Sequence, residues 1–297
     1  MQELLVDELT GDRVILAPAR ALRPDTFRVQ HEPVPARVES CPFCEGNEAE
    51  TPPEVARTGP GKPESRGWRV RVVPNKYPIV GDGVPGAHEV VILSPQHHAD
   101  LGVLSIEACT EMLLALRDRA RFHLDRGLAY AQPFVNHGKA AGASIQHPHA
   151  QLVAMDVVPP KVEARVKGFT VDAFRRNQEH LIDDGAVKVW CPSASISPFF
   201  ARVAVEDGGP RFDEATDGET GAVAAALHDT VARLHRLLGD VDYNLVFETA
   251  PRDHAGPFHW WVDMIPRLTV VAGFELGTGM WVNIVPPADA AAALREA

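Results

Sequence analysis

Short blocks rich in Val and Ile, bounded by turn residues, occupy positions 13–18, 68–74 and 89–94, and this pattern predicts three strands. From Ser105 the period changes. Ile106, Cys109, Met112, Leu113 and Leu116 recur at helical spacing, which predicts a helix capped by Ser105 and running to Leu124. A strand at 130–135, a Gly-rich loop at 138–144 and an apolar run at 151–158 come next. Between the early strands, residues 46–67 are rich in Pro, Gly and Glu and predict a long exposed loop.

The second half repeats this order, with strands expected at 188–190, 201–205 and 244–247 and a helix at 220–238 ahead of the last. Aligning the two helices also aligns the segments C-terminal to them. Phe134-Val135-Asn136, a Gly-rich loop and His147-x-His149-x-Gln151 match Leu245-Val246-Phe247, a loop with Gly256 and His259-x-Trp261. Two copies of one α+β unit are therefore expected, each an antiparallel sheet flanked by helices. Residues 1–165 form the first half and residues 166–297 a degenerate second half, in which Trp261 stands where the first copy has its second histidine.

A chain of 297 residues can bury two such units around a sizeable core. Its formal net charge of -11 speaks against nucleic-acid binding, which needs a basic face, but not against a small phosphate ligand met by a few local cations. Met1 to Glu8 has no basic start followed by an apolar run, and no apolar stretch reaches the roughly 18 residues of a membrane span. A cytoplasmic, membrane-free protein is expected. The four cysteines, Cys41, Cys44, Cys109 and Cys191, outline no disulfide framework, and Cys109 falls on the apolar face of its helix. Neither GxGxxG nor GxxxxGK[ST] occurs, so a nucleotide would be held by other means.

Two constellations carry chemistry. Cys41-Pro42-Phe43-Cys44 has the spacing that lets two thiolates converge on one tetrahedral metal, with His97 and His147 available to complete it; redox and incidental pairs share that spacing. In His147-Pro148-His149, alternation along an extended segment sets two imidazoles on one side, with the proline restraining the backbone between them. Imidazole is partly unprotonated at neutral pH and attacks phosphorus readily. The N–H groups of Gly142 and Ala143, the Ser144 hydroxyl and the Gln151 amide could offset charge that develops on the phosphoryl oxygens.

Gly142-x-Ser144-x-x-His147-Pro148-His149-Ala150-Gln151 resembles the signature of the galactose-1-phosphate uridylyltransferase family of the histidine-triad superfamily, and the similarity extends over nearly the whole chain. Arg20 and Arg23 resemble its early phosphate-binding arginines, Asn75 in Pro74-Asn75-Lys76-Tyr77-Pro78 its nucleotide-contacting loop, and Asn136 its nucleotide-binding asparagine. The resemblance implies that His149 attacks the α-phosphorus of a nucleotide sugar and that a phosphate acceptor then collects the nucleotidyl group, a ping-pong sequence. It also implies that Gln151 bonds the phosphoryl oxygen, that Cys41, Cys44, His97 and His147 hold a structural zinc, and that two copies pair as a homodimer. The partners implied are a nucleotide sugar and a sugar phosphate, with UDP-glucose and galactose 1-phosphate as the leading pair.

The chain departs from that pattern in two places. The family's second metal, iron or zinc, takes a glutamate and three histidines. Glu163 and His259 match, whereas Glu248 and Trp261 stand where histidines are expected, so an iron site is not expected to persist. Glu275 resembles a hexose-contacting glutamate, but the glutamine that helps read the sugar is replaced near Trp281. His259-Trp260-Trp261 and Gly277-Thr278-Gly279 are more similar to the ADP-glucose phosphorylase relatives, in which adenylyl replaces uridylyl and inorganic phosphate serves as acceptor. A nucleotide hydrolase is disfavoured by Gln151, which cannot shuttle a proton. A nucleotide-binding sensor without turnover is the non-catalytic rival.

Overall fold

Ten strands hydrogen-bond into one sheet, every neighbouring pair antiparallel, in the computed structural model, which describes residues 2–22, 38–97 and 100–297. The first half supplies β3 (Ala56–Arg57), β4 (Arg71–Pro74), β5 (Gly86–Ile92), β6 (Tyr130–His137) and β7 (His149–Met155). The second supplies β8 (His180–Asp184), β9 (Val187–Cys191), β10 (Ala201–Val205), β11 (Tyr243–Glu248) and β12 (Trp261–Pro266). Their order is β3-β4-β5-β7-β6-β11-β12-β10-β9-β8, so the second set mirrors the first across the β6–β11 seam. A separate three-stranded sheet pairs β1 (Glu3–Val6) with β2 (Arg13–Leu16), and β2 in parallel with β13 (Met280–Asn283). The expected α+β class, with antiparallel strands flanked by helices, is the architecture found. The expected boundary at residue 165 falls inside α2 (Pro160–Gly168).

Local sequence explains the two long helices. Helix α1 (Ile106–Leu124) starts where the Ser105 side chain accepts the Ala108 N–H at 3.2 Å, and its stripe of Cys109, Met112, Leu113, Leu116 and Ala120 is buried to the last atom or nearly so. Two short helices, α2 and α3 (Val171–Arg176), precede β8. Helix α4 (Asp217–Leu238) begins three residues earlier than the sequence pattern indicates. Thr216 and Glu219 form a reciprocal capping box there that draws Asp217, Gly218 and Glu219 into the first turn. Helices α1 and α4 pack on each other and on one face of the sheet. Short α5 (Gly273–Thr278) and α6 (Pro287–Glu296) close the chain. Among the described residues no helix is long and apolar enough to cross a membrane.

Strand periodicity then decides which side chains face away from the helices. Ala150, Leu152 and Ala154 of β7 join the core under α1, so His149 and Gln151 point to the opposite face. Register refines the internal repeat. Val135 pairs with Ala150 as Phe247 pairs with Val262, which makes Asn136 correspond to Glu248, His149 to Trp261 and Gln151 to Asp263. The repeat expected from sequence, which matches Asn136 to Phe247, is one residue out at this strand. The second-half counterpart of the His149 face is filled rather than open. Trp261 packs with Phe169, Phe174 and Phe258, and Asp263 bonds Arg202 at 2.7 Å in a buried group with Asp7 and Asn177.

The stretch 46–67 is largely the surface loop its composition suggests, with a short 3₁₀ turn at Glu48–Glu50 and the two-residue β3, and it is pinned to the sheet at a few points. Arg71, 1% exposed, draws in Glu54 and Glu64, each at 2.6 Å, and the Trp68 indole donates to buried Glu48 at 2.9 Å. Glu54 and Glu48 are thereby taken out of solvent, held by one buried guanidinium and one indole, while Glu64 stays at the surface.

Candidate active site

The His147-Pro148-His149 segment enters β7 with both rings fixed by backbone carbonyls. His149 Nδ1 lies 2.7 Å from the His147 carbonyl oxygen. A carbonyl only accepts, so Nδ1 carries the proton and Nε2 keeps the free lone pair of a neutral ring. Burial lowers the His149 pKa, with the hydrogen bond to His147 opposing in part, which favours that neutral form at pH 7. His147 is turned the other way. Its Nε2 donates to the Ser94 carbonyl at 2.7 Å, leaving Nδ1 unprotonated and 3.6 Å from Cys44 Sγ. Burial, joined by the nearby His97 and His149 rings, pushes the His147 pKa down to about 4. Phe43 stands edge-on to both imidazoles, with centroids 6.0 Å from His147 and 5.3 Å from His149.

Cys41, Cys44, His97 and His147 bring their ligand atoms within 4.8 Å of one another, and all four are buried. Cys44 Sγ is 3.4 Å from His97 Nδ1 as well as 3.6 Å from His147 Nδ1. These separations match the edges of a tetrahedron with metal–sulfur bonds of about 2.3 Å and metal–nitrogen bonds of about 2.0 Å. Burial and the adjacent Cys44 thiol push the Cys41 pKa up, a cost that a divalent cation would remove. The Ser94 carbonyl on His147 Nε2 is the outer contact that orients a ligating imidazole. The quartet therefore fits a metal.

A cavity of about 620 Å³, within the usual range for a small-molecule site, opens over this face. His149, Gln151, Ser144, Asn75, Lys76 and Tyr77 are among its lining residues. One contact at this wall has no sequence motif to announce it. His88 on β5 lies behind Gln151, with Nε2 2.9 Å from Gln151 Oε1, and its Nδ1 accepts the Ile79 N–H at 3.3 Å. The Ile79 bond fixes the proton on Nε2, which donates to the Gln151 carbonyl and leaves the Gln151 NH₂ as the end facing outward. Burial lowers the His88 pKa, so the neutral ring this chain requires is favoured. Asn75, its oxygen held by the Tyr77 N–H at 2.8 Å, places its amide nitrogen 3.2 Å from His88 Nε2; both are donors in this tautomer, so the contact adds no hydrogen bond and Gln151 Oε1 is the acceptor for Nε2. The signal available in the sequence is the two-residue period: His88, Val90 and Ile92 share a face, and Val90 pairs with Gln151.

Asn136 belongs to the end of β6, beside His149 in a smaller crevice, and its oxygen accepts from Asn244 Nδ2 at 2.8 Å. The loop after it turns at Gly138, where φ is +80° and a Cβ would fall 1.9 Å from Asp242 Oδ1, and again at Gly142, φ +88°. The N–H groups of Gly142 and Ala143, expected to face a phosphate, instead close this turn on the Lys139 and Gly138 carbonyls, each at 3.1 Å. Ser144 and Gln151 remain as side-chain donors on the cavity wall. Arg20 is exposed on the 3₁₀ turn Pro18–Leu22 and does not line the cavity, and Arg23 lies outside the described residues.

Glu275 is placed elsewhere. It lines a separate cavity of about 160 Å³ with Lys161, Arg267 and Trp281, and its carboxylate accepts the Ala272 N–H at 3.0 Å. Glu163 is exposed on α2, His259 packs against Phe169 and Phe174, and Glu248 pairs with buried Arg165, so these three do not converge. The Arg165 guanidinium supplies the positive charge opposite the Glu248 carboxylate. Cys109 and Cys191 are core thiols, each with its pKa pushed up to about 12, mainly by burial.

Residues 80–159 match the family model described as galactose-1-phosphate uridyl transferase, N-terminal domain. The chain is 32% identical to the ADP-glucose phosphorylase of Arabidopsis thaliana, over 99% of this chain and 92% of that one. It is 26% identical to the galactose-1-phosphate uridylyltransferase of Thermotoga maritima, over 100% of this chain and 98% of that one. The crystal structure of the Arabidopsis thaliana ADP-glucose phosphorylase with bound ADP-glucose superposes with a TM-score of 0.86 at 29% identity, covering 100% of this chain and 99% of that one. With a full-length relative at that identity, a matching family model and a shared fold, the chain belongs to the galactose-1-phosphate uridylyltransferase family of nucleotidyltransferases.

Proposed function

We propose that the protein moves a nucleotidyl group from a nucleotide sugar to a phosphate acceptor through a covalent intermediate on His149. The observation that carries this reading is the Nδ1–H bond to the His147 carbonyl, which leaves Nε2 as a free nucleophile in a ring lining a cavity of nucleotide-sugar size. In the first step Nε2 attacks the α-phosphorus, a P–N bond forms, and the P–O bond to the departing sugar phosphate breaks. The positive charge this creates on the ring is stabilised by the same carbonyl. Gln151, oriented by His88, and Ser144 donate to the phosphoryl oxygens. In the second step an acceptor phosphate oxygen attacks phosphorus and the P–N bond breaks, restoring the neutral imidazole. No side chain in this scheme has to activate water.

For the base and acceptor, the adenylyl reading is favoured: ADP-glucose as donor and inorganic phosphate as acceptor. Its support is the higher identity to the ADP-glucose phosphorylase than to the uridylyltransferase, 32% against 26%, with His259-Trp260-Trp261 and Gly277-Thr278-Gly279 pointing the same way. The uridylyl reading, UDP-glucose with galactose 1-phosphate, retains the family-model match over 80–159. Zinc is the metal that suits the Cys₂His₂ quartet, where it would rigidify the strand entry at His147. The two mirrored strand sets are read as a duplicated histidine-triad-like unit whose second copy is sealed. A homodimer accounts for Glu275, which lines a cavity apart from that of His149 and would meet bound hexose only across a subunit interface. Incubation with α-³²P-labelled ADP-glucose and UDP-glucose tests the base: ADP-glucose should label the protein and inorganic phosphate should release the label as ADP. Labelling by UDP-glucose alone would overturn the adenylyl reading, and no labelling by either would overturn the covalent one.

A further inference from the structure

At the corner where α4 turns into β11, four chain segments bring imidazoles and carboxylates together in a group distinct from the Cys₂His₂ quartet. Asp100 comes from the segment before α1, His137 from the last position of β6, His235 from the last turn of α4 and Asp240 from the α4–β11 turn. The ligand atoms of Asp100, His235 and Asp240 lie within 4.8 Å of one another. His235 Nε2 is 3.2 Å from Asp100 Oδ2 and 4.0 Å from Asp240 Oδ1, and His137 Nε2 is 3.7 Å and 3.2 Å from the same two oxygens. Ligands 2.0–2.2 Å from one cation stand about 3–3.6 Å apart in tetrahedral or octahedral geometry, so these separations are near those of a filled shell.

The polar accounting points the same way. The Asp100 side chain is 7% exposed; Oδ1 accepts the Gly102 N–H at 2.9 Å, while Oδ2 is buried without a hydrogen-bond partner. His235 Nε2 is likewise buried without a hydrogen-bond partner, although only 3.2 Å separates the two atoms. At that distance an N–H aimed at the oxygen would count as a hydrogen bond, so the two groups are not aimed at each other. A common third point between them satisfies both. The C-terminus of α4 adds its partial negative charge, and His137, hydrogen-bonded to Asp240 through Nε2 at 3.2 Å, borders the group without belonging to its convergent ligand atoms.

We propose that Asp100, His235 and Asp240, with His137 alongside, form a second cation site for a divalent first-row metal ion with nitrogen and oxygen ligands. The two carboxylates match the charge of such an ion, and the absence of thiolate separates its chemistry from the Cys₂His₂ quartet. Its place also gives it a role. His137 directly follows Asn136, and Asp100 and His137 line a crevice with His147 and His149, so an ion held by Asp100 and His235 ties α4 to the strand end bordering the reactive histidine.

Metal-stripped full-length protein, titrated with Co²⁺ and analysed for metal after dialysis against Zn²⁺, tests the site. Two equivalents are expected per chain, one giving thiolate charge-transfer absorption and a second giving only weak visible bands. His235→Ala should keep the thiolate band and lose the second equivalent. Asp240→Asn, a change at a half-exposed side chain, should weaken the second equivalent about tenfold and spare the first. Should His235→Ala fail to fold, Asp240→Asn decides alone. Uptake of a single equivalent by the wild-type chain, or two equivalents of undiminished affinity in Asp240→Asn, would overturn the proposal.

Discussion

Replacing His88 by Phe removes the ring nitrogens and keeps a flat side chain of similar size at a position that is 7% exposed. Two bonds are lost: the 2.9 Å bond to Gln151 Oε1 and the weaker 3.3 Å bond from the Ile79 N–H. A neutral hydrogen bond contributes about 1 kcal/mol net, so the Gln151 amide loses that much preference for turning its NH₂ toward the cavity. At about 1.4 kcal/mol per tenfold in rate, nucleotidylation of the enzyme should slow about fivefold. Removing the donor itself with Gln151→Ala should cost about 10²- to 10³-fold. The decisive comparison is the double variant, where His88→Phe should slow the reaction by less than about twofold because nothing remains for it to orient. Single-turnover quench-flow with labelled nucleotide sugar measures all four rates. Equal fivefold losses in the presence and absence of Gln151 would refute the positioning role, as would an unchanged rate in His88→Phe alone.

Three further outcomes are expected from the packing and electrostatics. Cys44→Ser should lose the thiolate-bound metal and lower Tm by on the order of 10 °C in thermal unfolding, because it breaks the closure of the β7 entry; an unchanged Tm with metal absent would contradict a structural role. Burial would raise the Glu89 pKa, but hydrogen bonds and charge from Arg119 and His123 outweigh it and leave it lowered. That contribution to stability is present above the unfolded glutamate pKa of about 4.3 and is lost as pH falls through the lower folded value. Glu89→Gln should therefore flatten the acid limb of stability in urea melts, and an equally steep limb would count against it. Asp263→Asn weakens the partner of a fully buried Arg202 and should cost about 3 kcal/mol by chemical denaturation while leaving single-turnover labelling of His149 intact. Loss of labelling in folded Asp263→Asn would mean the sealed half takes part in catalysis.

Local signals are legible in proportion to how local their causes are. The period of α1 and its Ser105 cap lie within a few residues, and strand β10 spans the expected 201–205. The start of α4 departs from the pattern because a capping box overrides the weak helix propensity of Gly218. The seam between β6 and β11 depends on strands far apart in sequence, so the one-residue slip in the repeat becomes visible only through register. At the site, Cys41, Cys44 and the His147-Pro148-His149 segment announce themselves by spacing, whereas His88 acquires meaning only when β5 pairs with β7. Glu54 resembles a solvent-facing residue because nothing in its own neighbourhood reveals that Arg71 will be buried beside it. The Asp100, His137, His235 and Asp240 group draws on four segments and has no motif at all.

One histidine, His149, is held to carry the nucleotidyl group, and everything else in the mechanism depends on it. The most direct test is mapping of the acid-labile, base-stable adduct after a single turnover with labelled ADP-glucose, by mass spectrometry of peptides prepared at alkaline pH. The adduct should sit on His149, and folded, metal-loaded His149→Ala should carry none. An adduct on any other residue, or undiminished labelling of His149→Ala, would contradict it.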